Sequence, residues 1–174
     1  MKNTHSTRKL VLAALFAAIT FVSTLIHIHV PGMQTGYVNL GDCLVLTCGI
    51  LLGPLYGGLA AGVGSALTDF IHGYVIYVPA TFVIKFLMAV CAYYIYKLLS
   101  KEYDSFKILP LTVAGIFGEI IMIVGYLLYE GLFIVTFAGA LLGVPGNITQ
   151  GVMGIIFSTI LIRVIKTTKI YKML

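Results

Sequence analysis

Apolar residues run almost without interruption from Leu10 to Ile162, and the polar positions cluster at breaks between stretches long enough to be helices. A helix needs about 20 mainly apolar residues to cross the hydrocarbon core of a bilayer. On that measure the pattern predicts six segments, at about 9–30, 42–53, 55–72, 79–99, 108–130 and 145–166. The first ends at Pro31-Gly32, and a polar connection carrying Gln34, Asn39 and Asp42 follows it. The apolar run from Cys43 to Val78 is too long for one crossing, and Gly53-Pro54 divides it into two shorter helices. Pro79 suits the first turn of the fourth helix, because proline lacks the amide proton that is unpaired there anyway. Glu119 interrupts the fifth segment, and Gly143-Val-Pro-Gly146 marks an irregular stretch before the sixth.

Composition strengthens this reading. The chain has 174 residues, 60% of them hydrophobic and 10% charged, whereas a soluble domain carries about a quarter charged residues. The expected fold is therefore all-α, a polytopic membrane protein forming one transmembrane domain over residues 1–174. The net charge of +5 matters less than where the charges lie. Lys2, Arg8 and Lys9 precede the first segment, Lys97, Lys101 and Lys107 flank the charged stretch Ser100 to Lys107, and Arg163, Lys166, Lys169 and Lys172 form the tail. Six crossings put both ends and the Ser100 loop on one side, and the positive-inside rule makes that side cytosolic. The connections near 31–42, 72–79 and 130–145 contain no Lys or Arg. This segregation indicates a lipid bilayer rather than a nucleic acid as the partner of the basic residues.

Cys43, Cys48 and Cys91 all lie in apolar segments and cannot all pair, which argues against a disulfide framework. The basic start and apolar run at the amino terminus read as a retained first helix, since no small-residue cleavage site follows. The two halves show no inverted symmetry of the kind many secondary transporters carry.

Lys85 is the one basic residue outside the three groups, and ionisable side chains within a membrane are costly and usually paired or functional. It lies six residues past Pro79, with Thr81 on the same face, and Asp69 approaches the same level from the end of the third segment. Asp69 and Lys85 can form a structural ion pair, contact a ligand, or do both. Glu119 shares a helical face with Tyr126 and Glu130, so a polar stripe climbs the fifth segment. Asn147 and Gln150 are neighbours at i and i+3 near the start of the sixth segment. Their amides offer both donors and acceptors to a polar heterocycle, although Asn147 in this place also suits helix capping. Tyr74 and Tyr77, with His72, either anchor a membrane interface or stack on a flat ligand.

Ala13 with Ala17 and Ala14 with Ala18 form two overlapping small-xxx-small pairs, which let helix backbones approach closely in lipid. They serve packing within the chain or contact with a partner. The ridge Gly57, Ala61 and Ser65 reads as internal packing between the second and third segments. His27-Ile-His29 and the Cys43, Cys48 spacing give no metal site, and no Gly-rich phosphate loop precedes a Lys-Ser or Lys-Thr. No metal and no other cofactor is expected, nor is a catalytic set recognisable.

Together, Asn39-Leu-Gly-Asp42, Leu52-Gly-Pro54, the run from Gly62 to Tyr74, and Tyr77-Val-Pro-Ala-Thr-Phe-Val-Ile-Lys85 resemble the S-component family of energy-coupling factor (ECF) transporters. Pro145-Gly-Asn147-Ile-Thr-Gln150 is similar to a pattern of its riboflavin, pyridoxine and hydroxymethylpyrimidine group. The resemblance covers essentially the whole chain, and its specificity lies in the combination. It implies the S-component fold, a six-helix subunit of a prokaryotic cytoplasmic membrane that captures a vitamin near the outer surface beneath the loop from Pro31 to Asp42. It further implies that Ala13, Ala14, Ala17 and Ala18 dock on a transmembrane T component coupled to two cytosolic ATPases. On this resemblance the chain is the substrate-specific subunit of an ECF-type ABC importer and not itself an enzyme. Its expected substrate-binding residues are Asp69, Lys85, Asn147 and Gln150, followed by Tyr74, Tyr77, Glu119 and Tyr126.

A ligand of the pyridoxine or hydroxymethylpyrimidine type fits polar amides, tyrosines and one cation, with riboflavin next. Two other classes stay open: a stand-alone proton-coupled carrier using Glu119 as its relay, and a small intramembrane enzyme. The first predicts uptake by the purified chain under a pH gradient, and the second predicts a chemically altered metabolite.

Overall fold

In the computed structural model, which describes the backbone of residues 2–28, 38–100 and 106–168, the apolar stretches are helices. Among the described residues these are α1 (Lys2–Leu25), α2 (Gly41–Leu52), α3 (Pro54–Ile71), α4 (Val78–Leu99), α5 (Ile108–Phe133), the short α6 (Phe137–Leu141) and α7 (Val144–Thr167). A pair of two-residue antiparallel strands, β1 (His27–Ile28) and β2 (Val38–Asn39), lies between α1 and α2, with His27 opposite Asn39. The expected cover from Pro31 to Asp42 and the stretch from Ser100 to Lys107 fall partly outside the described residues, and Lys169 and Lys172 wholly so.

Four stretches are long and apolar enough to cross a membrane among the described residues: Thr7–Leu25, Val78–Leu99, Ile108–Phe133 and Phe137–Thr167. Their outward faces carry large apolar side chains such as Leu15, Val22, Leu87, Ile120 and Ile156. Such faces suit lipid rather than water.

The second segment differs from a lipid-facing span. At 12 residues α2 is about 18 Å long, well short of the roughly 30 Å hydrocarbon core. Every residue from Gly41 to Ile50 is buried, because α1, α3, α4 and α7 all pack around it. A helix apolar on every side needs such a surround. Gly53, at φ +83° and ψ 179°, turns the chain from α2 into α3 in a backbone conformation essentially reserved for glycine. The two helices then pack back on one another, and a β-carbon on Gly57 would lie 2.2 Å from the Cys48 carbonyl oxygen. Ala61 and Ser65 continue this face into the interior.

The inward face of α1 consists of Ala13, Phe16, Thr20 and Thr24. It meets α3 so closely that a β-carbon on Gly64 would lie 2.5 Å from the Ala17 carbonyl oxygen. At the far end of the bundle the chain enters α5 through buried Phe106, which stacks on Tyr96 at 5.8 Å and donates its amide proton to the Tyr96 hydroxyl oxygen at 3.1 Å.

α1 ends at Leu25, against an expected limit near residue 30, because the chain turns into β1 there. The stretch before the last helix, expected to be irregular, contains α6, whose Thr136 accepts a hydrogen bond from the Gly139 amide at 3.2 Å.

Candidate functional site

Tyr77, Thr81 and Lys85 recur every four residues and so share one face where the chain enters α4. The facing stripe on α5 is Glu130, Tyr126 and Glu119, and the two helices are packed together. The stripes meet as rungs. The Tyr77 hydroxyl donates to Glu130 Oε1 at 3.4 Å, and the Thr81 and Tyr126 hydroxyls are 3.0 Å apart. The Lys85 ammonium sits 5.5 Å from the Tyr126 ring centroid, within cation–π range.

At the foot of this ladder, Lys85 forms an ion pair with Oδ1 of Asp42, in the first turn of α2. The other carboxylate oxygen accepts a hydrogen bond from Gln150 Nε2 on α7 at 2.7 Å. Gln150 Oε1 in turn accepts the Asn39 amide proton at 2.8 Å, and Asn39 Oδ1 accepts the Gly41 amide proton at 2.7 Å, tying β2 to the start of α2. Asp42 is completely buried, and Lys85 and Gln150 are each 3% exposed. Two buried opposite charges with directed hydrogen bonds satisfy one another where an isolated charge would not be tolerated.

Glu119 completes the cluster from α5. It is buried, neither of its carboxyl oxygens makes a well-formed hydrogen bond among the described residues, and the Asp42 carboxyl is its polar neighbour. Glycines on α7 make room for it. A β-carbon on Gly154 would lie 2.7 Å from Glu119 Oε1 and 2.9 Å from Asp42 Cβ, so the two carboxyl side chains border the same glycine. Gly151 covers the Glu119 side chain from one turn away, with a β-carbon there 3.1 Å from Oε2. Buried polar atoms in folded proteins nearly always have partners, and an exception calls for a reason.

The structure thus joins Lys85, Gln150 and Glu119 in one cluster and places Tyr126 and Tyr77 above it. It does not form the Lys85–Asp69 pair: Lys85 turns to Asp42, because α2 is surrounded by α4 and α7 while Asp69 lies at the end of α3. Asp69 is buried, and its carbonyl oxygen accepts the Tyr74 amide proton at 2.8 Å. Tyr74 meets Tyr77 edge-on at 6.2 Å, and Tyr77 meets Tyr129 at 5.7 Å, forming an aromatic row over the ladder. The His72 ring packs against His27 at 4.6 Å.

Asn147 does not cap α7. Gly143 holds that position with no side-chain cap bond, and the Asn147 amide already donates to its carbonyl oxygen at 3.1 Å. The half-buried Asn147 side chain lies one turn from Gln150. Of the alanines, Ala13 is buried and Ala17 half-buried towards α3, whereas Ala14 and Ala18 are exposed on the neighbouring face.

Asp42, Asn39 and Glu130 also belong to this polar network, although none stands out in the sequence as a charged residue deep inside a long span. The available signal was the excess of acids: Asp42, Asp69, Glu119 and Glu130 all fall in apolar surroundings against one lysine. Between α3 and α4, Val63, Leu67, Phe70, Pro79, Phe82 and Val83 help to line a groove of about 630 Å³ whose surface is wholly apolar. It offers no polar group to orient a ligand, and recognition of a heterocycle needs such groups.

Comparison with known proteins bears on the family of the whole chain. The family described as "ECF-type riboflavin transporter, S component" matches residues 4–167. A Pyrococcus woesei protein described as "Uncharacterized protein in gap 3'region" is 37% identical over 139 residues, covering 80% of this chain and 88% of that protein.

Proposed function

Because the chain belongs to the S-component family of ECF-type riboflavin transporters, we propose that it captures a heteroaromatic vitamin at the Lys85, Asp42, Gln150 and Glu119 cluster and releases it chemically unchanged. It is accordingly a multi-pass cell-membrane protein of vitamin uptake, a transport subunit. The observation that carries the site assignment is Glu119. Among the described residues its two buried oxygens have the Asp42 carboxyl as neighbour and no well-formed hydrogen bond, beside a cation and an amide that are already engaged, so they are the groups of the cluster open to an incoming polar ring. Asn147, Tyr77 and Tyr126 complete the contacts on the approach to it, with Asp69 and Tyr74 at the rim.

The polar groups lie within a few ångströms of one another, which supports a single-ring nitrogen heterocycle of the pyridoxine or hydroxymethylpyrimidine type. Riboflavin is the second reading, favoured by the family's description.

In this reading α2, too short to span in contact with lipid but enclosed by α1, α3, α4 and α7, pairs with α3 to make the second and third of six crossings, which puts both termini in the cytosol, and the placement of the basic residues supports this topology. The exposed Ala14 and Ala18 then dock on a T component coupled to two cytosolic ATPases, while Ala13 and Ala17 hold α1 against α3.

Titration of the purified chain with pyridoxine, hydroxymethylpyrimidine and riboflavin tests the reading. A hydrogen bond from a charged group to the ligand is worth about 1.5–3 kcal/mol, so Lys85→Met weakens the preferred ligand by roughly tenfold or more. Asn147→Ala weakens it less. If both variants bind as tightly as the parent, the site lies elsewhere.

A further inference from the structure

Phe106, where the chain enters α5, is the one non-glycine residue among those described whose backbone is left-handed, at φ +43°. A bulky side chain there is an outlier, and such strain persists only where the surroundings over-determine it. Tyr96 at the end of α4 does so, accepting the Phe106 amide proton on its hydroxyl and stacking on its ring. The same ring carries the Lys166 ammonium from the last turn of α7, 5.8 Å from its centroid and within cation–π range. The strained turn thus brings a ring from the α5 entrance to a cation of α7.

Two more cations adjoin it. Arg163 lies three residues before Lys166 and so neighbours it on the helix surface, and Lys107 directly follows Phe106; all three basic side chains are exposed. Lys166 suits the negative end of α7, but Lys107 stands at the positive end of α5, a 26-residue helix with no acid in its first turn. The described carboxyl groups, Asp42, Asp69, Glu119 and Glu130, are all buried, and Glu102 and Asp104 lie outside the described residues. Positive charge therefore concentrates on one exposed seam. Beside it Ile108, Leu109, Ile160 and Val164 are exposed on stretches long and apolar enough to cross a membrane, which sets the cations at the edge of the hydrocarbon.

We propose that the seam between the start of α5 and the end of α7 binds an acidic phospholipid, with its phosphate among Lys107, Arg163 and Lys166 and its chains along the neighbouring apolar side chains. Phe106 is the positioning residue, since its ring holds the Lys166 ammonium in place. The guanidinium of Arg163 matches a phosphate with two parallel hydrogen bonds, and the lysines add charge. A water-soluble anion would meet the cations and leave the adjoining apolar side chains unmet, whereas a phospholipid meets both. The inference needs only that α5 and α7 cross the membrane, and it does not depend on the vitamin site.

Native mass spectrometry of the full chain, released from micelles doped equally with dioleoylphosphatidylglycerol and dioleoylphosphatidylcholine, tests this. A basic side chain near an anionic headgroup adds about fivefold to its binding. The parent therefore retains one phosphatidylglycerol in preference to phosphatidylcholine by about tenfold or more. Arg163→Gln with Lys166→Gln brings that preference to within about threefold of none. Lys9→Gln with Lys97→Gln removes the same charge elsewhere, Lys97 lying over Tyr93 beside the Gly53 turn, and leaves the preference within about twofold of the parent.

Lys166→Arg keeps both the charge and the ring contact, and it retains the lipid. Phe106→Leu keeps an apolar side chain in the buried position but removes the ring, and it lowers the preference by about two- to fivefold. The exposed positions of Arg163 and Lys166 leave the fold intact, read as unchanged helical circular dichroism. The proposal is overturned if the parent shows no preference, or if the two double variants lose it equally, which would mean diffuse charge and no site. It is equally overturned if inorganic phosphate or an acidic protein is retained in place of the lipid. An unchanged preference in Phe106→Leu removes the positioning role.

Discussion

Lys85 is the one buried cation among the described residues, set among four buried carboxyl groups at Asp42, Asp69, Glu119 and Glu130. That imbalance explains why its partner could not be chosen from sequence alone. Asp69 lies nearer in the chain, and both aspartates adjoin polar breaks. The decision belongs to packing, since α2 sits between α4 and α7 and brings Asp42 to Lys85 and Gln150 together. Gln150 and Glu119 were legible as residue types that lipid-facing helices avoid. The glycines that seat them were not, because Gly151 and Gly154 acquire meaning only from what faces them. Gly154→Ala puts a methyl group against Glu119 Oε1 and Asp42 Cβ. We expect it to destabilise the protein by about 1–3 kcal/mol, as overpacking does, and to weaken ligand binding, read by thermal unfolding and titration in detergent. An unchanged midpoint would show that the cluster is looser than its geometry.

At the scale of the elements, breakers and apolar lengths marked most of the helices, because Pro54, Pro79 and Pro145 each fall in a first helical turn. Length alone did not reveal that α2 is surrounded rather than lipid-facing. Its composition is apolar throughout, and an apolar run reads the same whether helices or lipid surround it. The β1–β2 pair was invisible for another reason: two residues per strand carry no periodicity, and the pairing depends on a contact between the two ends of a connection. α6, at five residues, is likewise below the length at which a pattern shows. Gly53 is the position where the element boundary depends on one residue. Gly53→Ala forces a β-carbon into a conformation costing of order 1–3 kcal/mol, and equilibrium unfolding in detergent should show a loss of that size. A loss below about 0.5 kcal/mol, the range of an ordinary surface change, would mean the α2–α3 turn relaxes freely.

At the scale of the whole molecule, the two alanine pairs of α1 that the sequence left overlapping differ in burial, and the proposed function gives them separate tasks. Ala13 and Ala17 turn to the α3 side, where Gly64 and Thr68 meet the α1 backbone, while Ala14 and Ala18 look outward. Bulkier residues at the two pairs should therefore act differently. Ala14→Leu with Ala18→Leu is expected to leave stability within about 0.5 kcal/mol and ligand binding unchanged, but to abolish uptake in vesicles containing the T component and ATPases. Ala13→Leu instead lowers the unfolding midpoint by overpacking the α1–α3 contact. Loss of ligand binding in the Ala14, Ala18 variant would assign that face to internal packing.

The chain as a whole is proposed to hold a vitamin at a charged cluster reached past an aromatic row, with no ATPase of its own. The most direct test is native mass spectrometry of the purified chain released from mild detergent, free of T and ATPase subunits. The account predicts a one-to-one complex with a heteroaromatic vitamin whose mass is returned unaltered, and its loss in Lys85→Met. A folded chain that retains no such ligand when supplied with riboflavin, pyridoxine and hydroxymethylpyrimidine, or that returns one with a changed mass, would contradict it.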